Sequence, residues 1–306
     1  SSLLYVKKAR KDMFKLIIVF ITILNSAQAK LSFRWTGVSG FLLSDENSTL
    51  YFDPNITMVT LWDWMPWNVK DIDTKEVDYW MKRCDLKKVD AVFVNHSHYD
   101  HMLDAPYILK QYGGKLYGSR STLNYGLGNG IPKERLVKID YNKEYNVGKF
   151  TVIPLKSEHP NHFGPIMVSD GKINAPLKLP THPVNFRLGK THSFLIKHPE
   201  GDTLFSAVAK ISEPDALRAI KANNLIVTMA KRGDTETFVK KRILPVQSKH
   251  IIPVHYDNFF IPLSRDKKIH HLPLVDFPEF VSTTKKLIPK STELLTPAYC
   301  ESVPLN

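Results

Sequence analysis

Short apolar runs alternate with amphipathic stretches along the chain from residue 31 onward. Runs rich in β-branched and aromatic residues, bounded by turn residues, predict buried strands, whereas apolar positions spaced three and four apart predict helices. The predicted strands lie near residues 31–36, 48–53, 89–95, 115–118, 149–155, 191–197, 202–206, 224–228 and 249–254. The predicted helices lie near residues 73–84, 104–112, 120–127, 213–222, 235–244 and 277–287. Because both halves of the chain mix strands with helices, the pattern predicts an α/β fold.

The first 29 residues have a different pattern. Basic residues precede the apolar stretch 16–24, and Ala27-Gln28-Ala29 then supplies a small-x-small cleavage site. The apolar stretch is too short to span a bilayer as a mature helix. We therefore predict a signal peptide that begins at Met13 after an upstream extension, a mature domain of residues 30–306, and a secreted or periplasmic location. An uncleaved anchor at the membrane interface is the alternative.

The length and the charge of the chain reduce the number of function classes that fit it. A chain of 306 residues with 43% apolar content can bury one large core, which favours a single domain after the signal. Cleavage after residue 29 takes away five basic residues and one acid, so the formal charge falls from +12 to +8. Such a charge favours anionic partners such as phosphate esters or a membrane surface, but no dense basic tract with interleaved aromatics predicts specific nucleic-acid binding. The two cysteines, Cys84 and Cys300, are too far apart in sequence for their spacing to indicate whether they pair.

Three histidines and an aspartate occupy six residues directly after the predicted strand 89–95. His96, His98, Asp100 and His101 offer the imidazole nitrogens and carboxylate oxygens that zinc, iron and manganese bind in proteins. The first two histidines lie two residues apart and can face one metal position, whereas Asp100 and His101 turn toward a neighbouring position. The segment therefore predicts a metal site with room for two ions.

This H-x-H-x-D-H pattern after a hydrophobic strand resembles the metallo-β-lactamase-fold hydrolases. Other landmarks follow in the family's order: a first hairpin at 31–41, the Asp53-Pro54 turn, Ser157-Glu158-His159 after a strand, and His255 after another. The resemblance implies a four-layer αββα sandwich. It also implies that His159 joins His96 and His98 at one metal, and that His255 joins Asp100 and His101 at the second.

Within this family, the chain is most similar to the branch of N-acyl-phosphatidylethanolamine phospholipase D-like enzymes and related bacterial proteins. The similarity lies in His98-Tyr99-Asp100-His101, which Asp104 soon follows.

The chain departs from the family at the aspartate that usually bridges the two metals. The matching stretch, residues 203–209, reads TLFSAVA and contains no acid. Gly201-Asp202 precedes the strand and reads as a hairpin turn, and Asp234 in Gly233-Asp234-Thr235 reads as a helix cap. We therefore predict one tightly held metal at the first three histidines and a second that binds weakly.

The ligand set predicts hydrolysis. A divalent metal with an open coordination position lowers the pKa of its bound water to about 7, which supplies hydroxide at neutral pH, and it polarises a carbonyl or phosphoryl oxygen. The predicted function is a metal-dependent hydrolase, with zinc expected and iron or manganese as alternatives, that acts on a phosphodiester or another ester of a small or lipid-like molecule. Asp100 is the predicted catalytic residue. The alternatives are a lactonase or amide hydrolase, and a degenerate metal-binding protein without activity.

For several residues outside the ligand set, the sequence allows more than one role. Asp53, Asp104 and Asp257 are candidates for hydrogen bonds that orient the ligands, or else serve as turn and cap residues. For each of the remaining histidines a satisfied surface or core role is favoured over a role in the site, and His162 and His192 are the first two to inspect. Three indoles lie in the segment 61–67, which is predicted to roof the site, to enter a membrane interface, or to pack onto the sheet.

Overall fold

The computed structural model describes residues 31–159, 170–207 and 220–305, apart from residues 231, 267 and 274. Residues Leu31–Asn306 form one compact unit. The predicted signal segment, His162 and most of the predicted helix 213–222 lie outside the described residues. No helix among the described residues combines the length and the apolar character that crossing a bilayer requires.

The described strands lie close to their predicted positions, with several short strands in addition. In chain order they are β1 (Ser32–Gly37), β2 (Gly40–Ser44), β3 (Thr49–Phe52), β4 (Ala91–Phe93), β5 (Lys115–Gly118), β6 (Leu136–Lys138), β7 (Tyr145–Val147), β8 (Phe150–Lys156), β9 (His192–Lys197), β10 (Thr203–Ser206), β11 (Asn224–Thr228), β12 (His250–Val254), β13 (Glu293–Leu294) and β14 (Ser302–Pro304).

The described helices include a one-turn helix inside the histidine motif. They are α1 (Thr74–Arg83), α2 (Tyr99–Met102), α3 (Ala105–Tyr112), α4 (Arg120–Gly128), α5 (Thr235–Phe238) and α6 (Phe277–Leu287). Asp73 caps α1 by accepting a hydrogen bond from the Glu76 amide at 3.1 Å, as the capping pattern in the sequence predicts.

In the described part of the chain the strands form two mixed sheets with the same plan. The first sheet has the order β14-β1-β2-β3-β4-β5-β6 and the second has the order β13-β12-β11-β10-β9-β8-β7. Antiparallel pairing joins β14 through β3 in the first sheet and β7 through β10 in the second. The remaining neighbours are parallel in both sheets. The connections between the parallel strands contain helices. The loops that follow these strands therefore lie together at the edge formed by the strands' carboxyl ends.

A layer of phenylalanines holds the two sheets face to face. Phe41 and Phe52 of the first sheet lie edge-on to Phe205 of the second, with ring centroids 4.9 and 6.0 Å apart. Phe194 lies 5.5 Å from Phe52 and 5.8 Å from Phe93 in the same manner. These side chains are fully buried, and edge-to-face packing favours such pairs beyond the area that they bury.

Helices cover the outer faces of the sheets. The α3 and α4 helices pack on β5, whereas α6 packs on β13 and on α5, where Phe238 and Phe280 lie 6.4 Å apart. The predicted α/β sandwich with four αββα layers is therefore confirmed. A disulfide between Cys84, at the end of α1, and Cys300, just before β14, settles the pairing that the sequence leaves open.

The predicted helix 235–244 differs from the structure. Only Thr235–Phe238 is α-helical, and it continues as a π turn at Val239–Ile243 and a 3-10 turn at Leu244–Val246. Pro245 cannot donate a backbone hydrogen bond, so a regular helix cannot continue through it. The π turn carries Arg242, whose side chain is buried against the second sheet.

Candidate metal centre

His96, His98 and His159 come together as a group of three imidazoles. His96 and His98 follow the short buried strand β4, and His159 follows β8, so the two sheets supply one ligand segment each. Each residue offers a nitrogen, and these atoms all lie within 4.8 Å of one another. His96 Nε2 and His98 Nδ1 are 3.1 Å apart. Three imidazole nitrogens converging in this way are a donor set that fits a divalent metal.

Asp100, His101 and His255 form a second group directly beside the first. Their ligand atoms also lie within 4.8 Å of one another, with Asp100 Oδ2 3.5 Å from His101 Nε2 and 3.4 Å from His255 Nε2. The two groups adjoin because the His96 and His101 rings lie 3.9 Å apart. The six residues predicted as ligands thus divide in space as the sequence predicts.

Asn95 and Asp53 link the two groups. The Asn95 side-chain oxygen contacts Nδ1 of His96, while its backbone amide and its side-chain amide each donate to the Asp53 carboxylate at 2.8 Å. Asp53 Oδ2 in turn lies 2.9 Å from Nδ1 of His101. When a histidine donates its Nδ1 proton in this way, the lone pair of Nε2 is left for a metal. The orienting role that the sequence allows for Asp53 is therefore what its contacts support.

Asn95 and Ser39 are functional residues that the sequence analysis does not single out. Ser39, in the turn between β1 and β2, places its hydroxyl 2.8 Å from Nδ1 of His101. Asn95 directly precedes the first ligand at the end of a buried strand, which is the one local signal that indicates its role. Nothing near Ser39 in the sequence signals its contact with a residue 62 positions away.

The backbone of His255 is held by the β1–β2 turn. Its amide donates to the Val38 carbonyl at 2.7 Å, and the Val38 amide donates to both carboxylate oxygens of Asp257 at 3.1 and 2.9 Å. Tyr299 also donates to Asp257 at 3.0 Å. His255 itself has φ of 61°, a left-handed conformation that is uncommon for a residue with a side chain. Asp257 therefore supports the position of His255 through Val38.

Asp104 lies outside this network. Its side chain accepts hydrogen bonds from the backbone amides of Ile56, by a short contact, and of Thr57 at 2.8 Å, and it makes no capping bond to α3. Asp104 therefore neither orients a ligand nor caps a helix with its side chain, which are the two roles that the sequence suggests. It ties the loop after Asp53-Pro54 to the start of α3.

Other predicted interpretations hold in the structure. Gly201 and Asp202 lie in the tight connection between the antiparallel strands β9 and β10, and Asp234 caps α5 by accepting from the Thr237 amide at 2.8 Å.

His192 is buried at the start of β9, with Nδ1 2.8 Å from the Asn95 carbonyl oxygen. It supports Asn95 and belongs to neither ligand group among the described residues.

Ser206 occupies the middle of the edge where the ligands meet. In the second sheet, β10 lies between the strands that lead to His159 and His255, and Ser206 is its last residue. By this strand order a carboxylate at the end of β10 would lie between the segments that carry His159 and His255. Ser206 has only a hydroxyl, which accepts a hydrogen bond from the buried guanidinium of Arg242. Among the described residues, the candidate ligand groups contain no acid other than Asp100.

Burial and mutual repulsion set the charges of the ligands. Burial, together with the neighbouring imidazoles, lowers the pKa of His96 well below its usual value, so the ring is neutral and ready to bind a metal. Burial by itself raises the pKa of Asp100, but His101 and His255 outweigh it and hold the pKa of this carboxyl below its usual range. At neutral pH His96 is therefore neutral and Asp100 is ionised, whereas Asp100 and Asp53 raise the pKa of His101 against the effect of its burial.

The comparisons with known protein families agree with this geometry. A family model described as a beta-lactamase superfamily domain matches residues 69–171, which include the histidine motif and His159. A UPF0173 metal-dependent hydrolase from Myxococcus xanthus is 26% identical over 176 residues, which cover 56% of this chain and 57% of that protein. A protein of the same name from Polynucleobacter asymbioticus is 26% identical over 239 residues, or 76% of each chain. The chain thus spans little more than half the length of the Myxococcus relative.

Solved structures show the same fold at low sequence identity. The metallo-β-lactamase fold protein YhfI from Bacillus subtilis matches with a TM-score of 0.53 and 12% identity, covering 90% of this chain and 99% of that one. An isothiocyanate hydrolase from Delia radicum gut bacteria matches with a TM-score of 0.57 and 13% identity, over 89% and 98%. CmlA, a diiron β-hydroxylase from Streptomyces venezuelae, matches with a TM-score of 0.54 and 14% identity, over 91% and 55%.

The topology, the packed sheets and these neighbours define the class: this chain has the metallo-β-lactamase fold. Because the fold also occurs in a hydroxylase, the fold alone does not determine the reaction, and the activity has to be argued from the site.

Proposed function

We propose that this protein is a metal-dependent hydrolase that acts on a phosphodiester or another ester. The observation that carries the proposal is the pair of adjoining ligand groups at the edge shared by both sheets, with atoms within 4.8 Å in each group. When bound there, a divalent metal supplies a water that is nucleophilic at neutral pH and polarises the bond that is attacked. The relatives named as metal-dependent hydrolases support the same reaction type.

In this proposal each ligand group has its own role. His96, His98 and His159 hold the first metal, with Asn95 fixing the ring of His96. Asp100, His101 and His255 are offered to a second metal. The Asp100 carboxylate faces the space between His101 and His255, from which it can orient the attacking water and accept its proton. Zinc is the metal that three histidines favour most, with iron and manganese as alternatives.

The chemical class of the substrate rests on weaker support than the reaction type. The formal charge of +8 that remains after the predicted cleavage favours an anionic substrate such as a phosphodiester. The N-acyl-phosphatidylethanolamine phospholipase D-like branch, which would imply a lipid-like diester, stays a prediction. A lactonase or amide hydrolase is the main alternative, and one similarly folded neighbour is an isothiocyanate hydrolase.

We also propose a secreted or periplasmic location. The Cys84–Cys300 disulfide supports it, because disulfides persist in oxidising compartments and are rare in the cytosol.

The test combines metal loading with turnover. Protein stripped of metal is reloaded with zinc, manganese or iron, and hydrolysis of bis(p-nitrophenyl) phosphate, p-nitrophenyl acetate and a lactone is measured for the wild type and for His96→Ala and His98→Ala. We expect metal-dependent turnover that falls at least 100-fold in both variants, together with loss of bound metal. The exposed His270 provides the matched control, since His270→Ala removes an imidazole outside both groups.

Two results would contradict the proposal. Equal metal content in the wild type, His96→Ala and His98→Ala would reject the site. Tight metal binding without turnover of any substrate class would favour the degenerate binding protein, which the serine at position 206 makes the second candidate.

A further inference from the structure

The segment Leu61–Val69 carries a cluster of exposed apolar side chains beside the candidate metal centre. Among the described residues, the large apolar side chains left exposed all lie in this segment. Trp62 and Trp67 are 65% and 72% exposed. The others are Leu61, Met65 and Val69. We call these five side chains the apolar patch.

Several polar groups of the segment are paired within it. The Met65 amide donates to the Trp62 carbonyl at 3.1 Å and the Asn68 amide to the Met65 carbonyl at 2.9 Å, while the Asn68 side chain donates to the Trp62 carbonyl at 2.7 Å. The Asp63 carboxylate accepts from the Thr60 amide at 2.7 Å. Each of these pairs lowers the cost of moving the segment out of water, since the paired groups no longer need water as a partner.

Two contacts anchor the patch to the body of the protein. The ring of Trp64, which is only partly exposed, packs edge-on against Tyr99 with centroids 5.8 Å apart, and Tyr99 lies between the ligands His98 and Asp100. At the other end, Lys70 and Thr181 exchange two backbone hydrogen bonds of 2.8 and 3.0 Å. Of the three indoles in the segment, Trp64 therefore holds the loop while Trp62 and Trp67 face outward.

The size of the patch favours a lipid surface over a protein partner. The two outward indoles together expose roughly 300 Å², and the three smaller side chains add to this area without reaching the roughly 800 Å² that each partner buries in a stable protein interface. Tryptophan is the residue enriched at membrane interfaces, where its ring is buried and its N–H stays near the headgroups. The formal charge of +8 that remains after the predicted cleavage complements an anionic lipid surface and opposes self-association of the chain.

We propose that the apolar patch docks this protein onto an anionic lipid bilayer, with Trp62 and Trp67 inserted at the headgroup level. Because Trp64 connects the patch to Tyr99, docking would hold the ligand groups close to the bilayer surface. If the proposed hydrolase function is correct, an ester in a lipid headgroup would then be within reach of the site.

The test uses lipid binding without turnover, so its outcome is independent of the hydrolase proposal. The full chain is sedimented with vesicles of equal parts phosphatidylcholine and phosphatidylglycerol. We expect binding by the wild type, and at least a tenfold increase in the lipid concentration for half-binding when Trp62→Ser and Trp67→Ser are combined. The matched control combines Trp62→Phe with Trp67→Phe, which keeps aromatic side chains at both positions and should retain binding.

A second readout places the contact. The chain has five tryptophans, at positions 35, 62, 64, 67 and 80, and Trp35 and Trp80 are buried. Lipids brominated near the headgroup should therefore quench the fluorescence of Trp62 and Trp67. In the phenylalanine pair, which still binds, the quenching should fall to the part that the partly exposed Trp64 retains. Residues 1–30 contain no tryptophan, so an apolar N-terminal segment cannot produce this signal.

Three outcomes would overturn the proposal. The first is no vesicle binding by the wild type. The second is equal binding by the wild type and the serine pair, which would place the lipid contact elsewhere in the chain. The third is a concentration-dependent dimer that the serine pair abolishes, without vesicle binding, which would make a second copy the partner.

Discussion

The side-chain amide of Asn95 donates a hydrogen bond of 2.8 Å to the carboxylate of Asp53. Asn95 also contacts His96 of the first ligand group, and Asp53 contacts His101 of the second. One pair of residues therefore orients a ligand in each group, so a substitution of Asn95 should weaken metal binding at both groups.

Asn95→Ala should lower metal affinity by about 10-fold to 100-fold, the usual effect of removing a hydrogen bond that orients a metal ligand. Calorimetric titration of the metal-free protein measures it. The control is Asn129→Ala, which removes an asparagine that bonds to the Tyr125 and Leu177 carbonyls away from the site. If both variants lose stability and neither changes metal affinity, Asn95 has only a structural role.

The serine at position 206 predicts two unequal metal steps. Without a bridging carboxylate, two divalent ions at adjoining groups repel each other strongly in a poorly solvated pocket. Calorimetry of the wild type should show one tight step with a weak second step or none. Two equally tight steps would contradict this expectation and would require a bridging group from outside the identified ligands.

Restoring the acid at this position tests the same idea in the opposite direction. We expect Ser206→Asp combined with Arg242→Met to tighten the second metal step at least tenfold. Arg242 is replaced as well because its guanidinium would otherwise pair with the new carboxylate. Arg242→Met alone is the control, and a second step equally weak in both variants would show that position 206 does not reach the two groups.

Asp104 should make stability depend on pH. Burial is the main cause that raises the pKa of Asp104 from 3.8 to about 6, although bonds from Thr57 and Ile56 partly oppose it. Because the pKa is higher in the folded state, the stabilising contribution is present below about pH 4 and is lost as the pH rises through about 6. The full shift corresponds to roughly 3 kcal/mol.

Asp104→Asn should remove this contribution, since an amide oxygen can accept the same two backbone hydrogen bonds without titrating. The free energy of unfolding of the metal-free protein, measured by urea titration between pH 4 and 7, should fall less with pH in this variant than in the wild type. The exposed Asp71 serves for comparison as Asp71→Asn. Parallel pH curves for the wild type and Asp104→Asn would refute the assignment.

The Cys84–Cys300 disulfide joins α1 to the C-terminal segment across 216 residues of sequence. Removing a native disulfide commonly costs about 2–5 kcal/mol. Cys84→Ser combined with Cys300→Ser should therefore lower the unfolding temperature, and reduction should have the same effect on the wild type but none on the double variant. Reaction of denatured, unreduced protein from its native compartment with a thiol reagent should find no free cysteine.

Export predicts a defined N-terminus. Mass spectrometry of the chain from its native compartment should find cleavage after Ala29, the last residue of the small-x-small site. Retention of residues 13–29 would instead support the interfacial anchor.

Local patterns in the sequence were sufficient for the regular elements and for most of the site. The strands at 115–118 and 224–228 and the helix at 277–287 have the predicted bounds. The two strands are short runs that are buried almost throughout, and the helix buries Phe277, Phe280 and Thr284 on one face. The short strands β6, β7, β13 and β14 were not predicted, since two or three residues do not establish a period. The helix expected at 235–244 was wrong beyond residue 238, where a buried arginine and a proline shape the turns.

The sequence by itself indicated four candidate ligands, because imidazoles and a carboxylate crowded at the end of a buried strand are typical of a metal site. The resemblance to the metallo-β-lactamase-fold hydrolases added His159 and His255. Only the tertiary structure decided how they are supported: Ser39 meets His101, Asp257 holds His255 through Val38, and Cys84 pairs with Cys300. It also decided that Trp64 packs inward while Trp62 and Trp67 face outward. These contacts join residues remote in the chain, or depend on which side of a loop meets the body of the protein. Local periodicity carries no information about either.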